Sequence, residues 1–449
     1  MPVTVRAIVL AAGKGTRMKG PRPKVLHEIC GRPMLWYVLR SLHESGIDDV
    51  LVVASDDLQT ELARFGVPAV VQSEQLGTGH AVKVALRALS LRADGRILVA
   101  SGDMPLVTDR LFAAVASALD GDSRAAMALV TVRMPLPSNF GRIVRRGREI
   151  ERIVEVRDAA ADELAIEEMN AGIYAFDERA LRESIDRIGN DNAQKEYYLT
   201  DTVADFVRRG RPVRPVSCPD HFDVLGINDR VELAAARREM NARLCARHMR
   251  DGVTIVDPET TYLEPELSIG RETVIYPNTS IGLLSEVGES CIIGPNSRLS
   301  NAKLGARVTV RESVVLDSTL GDDCNLGPFA HLRGETVLGP DVRIGNFVEI
   351  KKSTLARGVK ASHLSYLGDA QVGEETNVGA GTITCNFDGE KKNETVIGSN
   401  VFIGSNSSLV APLSVGDGAL TGAGSVVTHD VAPNERVAGN PARPLGEKK

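Results

Sequence analysis

A chain of 449 residues with 43% hydrophobic side chains has material for several domain-sized cores. Its formal net charge of −6 argues against a bulk nucleic-acid binder, which needs a basic field to displace counterions from phosphates. Six cysteines at 30, 218, 245, 291, 324 and 385 without a CxxC pair indicate neither a disulfide framework nor a zinc cluster and suit a reducing cytoplasm, while the short apolar stretch in MPVTVRAIVLAAG and the absence of any apolar run of about 18 residues predict neither a signal peptide nor a membrane span.

From residue 1 to about 227 the chain alternates aliphatic runs with helical patterns: VRAIVL, PMLWYVLRSLHESG, DVLVVAS, a helix after Gly77-Thr78-Gly79, then RILVAS. Runs of Val, Ile and Leu without polar alternation suit strands covered on both faces, so an α/β unit with a largely parallel sheet is expected. Ligands in such sheets gather at the carboxyl ends of the strands. Directly after the first strand, LAAGKGTRMKGPRPKVL (10–26) mixes glycines with lysines and arginines. It does not fit the Walker pattern.

Residues 229–249 place Leu233, Ala236, Met240 and Leu244 at helical spacing, which predicts one amphipathic connecting helix. We divide the chain into 1–227, a linker helix over 228–250 and a second domain over 251–449. In that domain aliphatic residues recur every six positions: Ile269, Ile275, Ile281, Val287, Ile293 and Leu299; then Leu304, Val310 and Leu316; then Leu320 to Ile350; then Ile397 to Val427, with Thr421 the exception. A step of six fits neither a helix nor a hairpin. It fits hexapeptide repeats wound as a parallel β-helix, three short faces to a triangular coil with the aliphatic residue inside. TCNFDGEKKNET (384–395) breaks the period and is polar, so it reads as a loop thrown out from the coil.

The first half, through LAAGKGTRM, Pro23-Lys24, LGTGHAV, SGDMPL, NFGRIV, IVEVRDA, MNAGIY and GIND, resembles sugar-phosphate nucleotidyltransferases. The second half, through NFVEIKKS, HLSYLGDA, NVGAGTITCNFDG and FIGSNSSLVAP, resembles hexapeptide-repeat acyltransferases. In this order and over nearly the whole chain, the set resembles the bifunctional bacterial family of N-acetylglucosamine-1-phosphate uridylyltransferase/glucosamine-1-phosphate N-acetyltransferases. The resemblance implies a Rossmann-like nucleotidyltransferase domain followed by a left-handed parallel β-helix of hexapeptide repeats. It also implies a homotrimer with shared acetyl sites, and synthesis of UDP-N-acetylglucosamine for peptidoglycan and lipopolysaccharide precursors.

Uridylyl transfer needs UTP held in line and positive charge on the departing pyrophosphate. The backbone amides of Ala12, Gly13, Gly15 and Thr16 can wrap a polyphosphate because the glycines leave the approach open, and Arg17 and Lys24 supply charge. The resemblance implies that Leu10, Ala11, Ser101 and Gly102 also line the nucleotide, that Gln72, Gly77 and Thr78 meet the uracil, and that Gly141, Glu155 and Asn170 meet the sugar. It pairs Asp103 with Asn228 as a Mg²⁺ site; from its own surroundings Asp103 reads equally as a helix cap. Ser101 stands where the family commonly carries tyrosine.

Acetyl transfer from acetyl-CoA to a sugar amine needs a group that takes a proton as nitrogen attacks, and His363 in KASHLSYLGD suits this. The resemblance implies a phosphate clamp of Arg333 and Lys351, sugar contacts from Tyr366 and Asn377, and acetyl-CoA contacts from Ala380, Asn386, Phe387, Ser405, Ala423 and Asn440. Glu349 is a candidate to orient His363, and equally reads as a solvated glutamate. Departures from the family pattern stand at Gly334, Phe387 and Asn440. Cys385 has no identifiable activating partner, so direct transfer is expected over an acyl-enzyme. The alternatives are a single-activity nucleotidyltransferase whose β-helix only mediates assembly, a non-catalytic scaffold, and a metal enzyme using His331, His363 and His429.

Overall fold

Strands that are aliphatic on both faces require cover on both sides, and the first half of the chain supplies it. In the computed structural model, which describes residues 4–64, 66–92, 94–122, 124–282 and 284–445, the chain divides into two compact units, one ending at Met240 and the other beginning at Asn241. The sheet of the first unit runs, in spatial order, Val213–Cys218, Met127–Arg133, Glu168–Asp177, Arg96–Ser101, Val5–Leu10, Val50–Ala54 and Ala69–Val71. Val5–Leu10 pairs in parallel with both neighbours. The sheet is not parallel throughout: Glu168–Asp177 is antiparallel to both strands it separates. Successive residues of each strand point to opposite faces, so Val9 and Leu98 enter one apolar core while Ile8 and Val99 enter the other.

The predicted helices form over Met34–Glu44, Thr78–Ala88 and Arg230–Arg250. On the last, Leu233, Ala236, Met240 and Leu244 are all buried. Among the described residues no helix is long and apolar enough to cross a membrane.

The second unit is a left-handed parallel β-helix. Its register explains why the six-residue period slips. Tyr262 pairs with Ser280 and Ser280 with Arg298, a coil of 18 residues or three hexads. Arg298 to Val314 takes only 16, and Val314 to His331 only 17. The shortened coil moves the inward position by one: Val315 fills the prism with no exposure, whereas Leu316, expected inside, is only half-buried. Ile269 is likewise only half-buried. Thr421, the polar exception, is 1% exposed, and its hydroxyl accepts from Gly404 N at 2.9 Å and contacts Ser407 Oγ at 3.2 Å. Satisfying that hydroxyl removes the penalty of burying it. Ile383 to Ser408 spans 25 residues. The excess lies between strands Ile383–Cys385 and Thr395–Ile397, where the expected loop closes through a Phe387–Lys392 bridge.

Candidate functional site

The first candidate site grows out of the end of Val5–Leu10. Beyond it, Gly15 takes φ +58, and a Cβ there would stand 2.7 Å from Lys24 Cβ, so the turn is open only to glycine. Among the described residues no acceptor takes the backbone N–H of Ala12, Gly13, Lys14, Gly15 or Thr16, leaving a row of donors suited to an anion. Gln75 Nε2 donates to Ala12 O at 2.6 Å and ties the row to the segment before Thr78–Ala88.

Asp103 sits just past Arg96–Ser101, where Ile227 N donates to its carbonyl at 3.0 Å. Its carboxylate is gripped on both oxygens, Oδ1 accepting from Ser101 Oγ at 2.6 Å and Oδ2 from Lys24 Nζ. The same ammonium reaches Asn228 Oδ1 at 3.2 Å. Two oxygens from remote segments thus converge on one cation.

A cavity of about 500 Å³ is lined by Leu10 to Gly13, Lys24, Gln72, Gly77 and Thr78, with Ser101 and Asp103. A second, of about 800 Å³, shares Leu10, Thr78, Ser101 and Asp103 and adds Arg17, Gly141, Glu155, Asn170 and Asn228. Gly102 holds the strand ends together, donating from N to Leu10 O at 2.8 Å. Asn170 is fixed by Tyr174, to whose hydroxyl its amide donates at 2.7 Å.

Burial pushes the Glu155 carboxyl above its ordinary range; the Thr200 hydroxyl opposes the shift from 3.2 Å, while Asp201 and Asp158 reinforce it. A raised carboxyl pKa means that the ionised group weakens the fold at neutral pH and that this cost disappears once pH falls below the folded-state value. Glu155→Gln is therefore expected to raise the urea midpoint at pH 7 and to lose this advantage under acidic conditions, with the fluorescence of Trp36, the single tryptophan, following the transition.

The second candidate site lies on the β-helix. His363 ends the strand Lys360–His363 and is exposed. Its Nδ1 meets Asn346 Oδ1, one coil away, at 2.6 Å. An amide oxygen only accepts, so Nδ1 carries the proton and Nε2 keeps its lone pair. Glu349 does not take this role: its Oε1 is held by Arg333, at 2.8 Å from Nε and 2.6 Å from the terminal nitrogen. Arg333 and Lys351 are register partners on adjacent coils.

Four backbone bonds carry one corner down successive coils, from Leu364 N to Asn346 O, Gly381 N to His363 O, Asn406 N to Ala380 O and Gly424 N to Ser405 O. His363, Ala380, Ser405 and Ala423 therefore share one edge of the prism. Asn386 is buried beside Tyr366, its amide donating to Asp369 Oδ2 at 2.5 Å and to Tyr366 OH at 3.5 Å. Asn377 stands on the other sheet, between Lys360 and Phe402. Phe387 is exposed on the loop under Lys392, whose ammonium lies 4.7 Å from the ring centre, and Asn440 is exposed near the last coil. Burial pushes the Cys385 thiol up, away from reactivity, against a weaker pull from Ser408. Cys385→Ala is accordingly expected to retain acetyl-CoA-dependent thiol release.

Three contributors escaped the motifs. Gln75 and Thr200 act through single hydrogen bonds across loops, and neither spacing nor periodicity flags them. Asn346 does leave a trace, since it precedes His363 by 17 residues, one coil.

Comparison with known proteins adds independent findings. Residues 7–176 match the model of the MobA-like NTP transferase domain, 259–346 that of the GMPPB C-terminal domain, and 394–429 that of the bacterial transferase hexapeptide (six repeats). The Bifunctional protein GlmU of Geobacillus sp. (strain WCH70) is 45% identical over 433 residues, covering 95% of this chain and 94% of the relative. Its namesake in Acetivibrio thermocellus is 44% identical, covering 95% and 92%, and that in Trichlorobacter lovleyi 44%, covering 95% and 94%.

Proposed function

The chain belongs to the GlmU family of bifunctional proteins, and from that premise we propose how its residues divide the uridylyltransferase and N-acetyltransferase activities. Residues 1–227 transfer UMP from UTP to N-acetylglucosamine-1-phosphate, giving UDP-N-acetylglucosamine and pyrophosphate. The linker helix occupies 228–250, and 251–449 acetylate glucosamine-1-phosphate with acetyl-CoA.

The observation that carries the first assignment is the Lys24 ammonium held by Asp103 and Asn228 beside a row of free amides. An anionic carboxylate and an amide oxygen, converging on one cation, form a hard donor set that fits Mg²⁺, with phosphate oxygens and water completing it. Asp103 and Asn228 would hold the ion, which when bound supplies charge neutralisation on the phosphates. The amides of residues 12–16 bind the triphosphate, and Arg17 and Lys24 neutralise the leaving pyrophosphate as the sugar phosphate oxygen attacks the α-phosphorus. Leu10, Ala11 and Ser101 line the nucleotide, and Gly102 closes the strand ends beneath it. Gln72, Gly77 and Thr78 meet the uracil; Gly141, Glu155 and Asn170 meet the sugar.

In the second domain His363 Nε2 takes the proton from the amine of glucosamine-1-phosphate as nitrogen attacks the thioester, and coenzyme A leaves as its thiolate. The Asn346 bond supports this by fixing the required tautomer. Arg333 and Lys351 clamp the sugar phosphate; Tyr366 and Asn377 contact the sugar. Ala380, Asn386, Phe387, Ser405, Ala423 and Asn440 contact acetyl-CoA. The acetyl site is completed between copies in a homotrimer, a reading supported by Tyr366 and Asn377 lying on different sheets. Free cysteines throughout the described residues suit a cytoplasmic setting.

The test supplies glucosamine-1-phosphate, acetyl-CoA, UTP and Mg²⁺ and follows free thiol and pyrophosphate separately. Both signals are expected, with pyrophosphate lagging until N-acetylglucosamine-1-phosphate accumulates. Pyrophosphate without thiol would leave a single-activity nucleotidyltransferase.

A further inference from the structure

Gln72 lines the smaller cavity although only 5% of it is exposed, so its amide has one orientation to offer a ligand. The amide nitrogen lies 3.2 Å from Gly77 O and 3.1 Å from His80 Nδ1. Gly77 O only accepts, which identifies the group facing it as NH₂. The second N–H then goes to His80, whose Nδ1 must accept and whose proton sits on Nε2. Gln72 Oε1 takes no hydrogen bond from any described residue. His80 lies in the first turn of Thr78–Ala88, and that turn is pinned by Gly79 N donating to Tyr197 O at 2.7 Å. The imidazole is therefore a fixed acceptor on a rigid element.

We infer that His80 is a positioning residue for base selection: by engaging the Gln72 amide nitrogen, it leaves the amide oxygen as the group presented to the nucleobase. A pyrimidine with an N–H at ring position 3, such as uracil, satisfies that oxygen. Cytosine brings a lone pair to the same place, and two acceptors facing each other in a confined site are penalised. The inference rests on the proposal that the base meets Gln72.

The test compares pyrophosphate release from UTP and CTP at fixed N-acetylglucosamine-1-phosphate and Mg²⁺ for His80→Ala, His80→Asn and Gln72→Ala. His80→Ala is expected to lower kcat/KM for UTP and the UTP-to-CTP ratio by about tenfold each, with the KM of the sugar phosphate unchanged. Asparagine places an acceptor close to the position of Nδ1, so His80→Asn should keep the ratio. Trp36 fluorescence reports whether each variant is folded. A His80→Ala variant that loses UTP and CTP turnover equally, or keeps its ratio while Gln72→Ala loses it, would overturn the role of His80 and leave the base at Gln72. Unchanged UTP selectivity in Gln72→Ala would instead overturn the placement of the base, and the inference with it.

Discussion

His363→Ala is expected to lower acetyl-CoA-dependent thiol release by about 10²- to 10⁴-fold, the range a positioned general base contributes, while pyrophosphate release from UTP and supplied N-acetylglucosamine-1-phosphate stays at the parent rate. The expectation follows from the Asn346 contact at 2.6 Å, which leaves Nε2 as the basic nitrogen of an exposed ring. Alanine removes the base without emptying a core, so the loss should fall on kcat, with stability nearly unaltered. An equal fall in pyrophosphate release would mean that the two reactions do not use separate residues.

Asp103→Ala is expected to do the converse, lowering pyrophosphate release by about 10³-fold and sparing thiol release. The carboxylate has three partners or roles at once: Ser101 on one oxygen, Lys24 on the other, and the proposed cation. Its loss leaves Lys24 with Asn228 as its remaining polar partner among the described residues and removes the negative charge that draws a divalent ion to the polyphosphate. Supplying pre-acetylated sugar phosphate isolates this defect, because the acetyl reaction is then not required. Retained pyrophosphate release would place the cation elsewhere.

How much of this was legible in the residues differs between the halves. The six-residue rhythm reports the prism directly, because each short face must send one aliphatic side chain inward. It fails at Leu316, since the count of residues at a corner can change without any change in which residues are apolar. The direction of Glu168–Asp177 was not legible for a related reason. A strand buried on both faces carries the same aliphatic pattern whichever way it runs, and its direction is decided by the connection that delivers it. At the sites, residues inside quoted motifs could be named in advance, but their partners could not. Glu349 lies near His363 in the chain, yet the ladder puts it beside Arg333, where opposite charges meet. Asn346 reaches His363 because adjacent coils bring residues 17 apart into register.

The corner that runs from His363 through Ala380 and Ser405 to Ala423 is also a graduated scale. Stacked strands are spaced by about 4.8 Å, so three steps measure roughly 14 Å along the prism, a length fixed by the backbone and indifferent to which side chains decorate it. An elongated acyl carrier laid against this edge would have its reactive end indexed to one rung and its tail to another. Excising a whole rung would shorten the ruler by one mark, whereas the excursion between Cys385 and Thr395 adds nine residues to the chain without stretching the ruler.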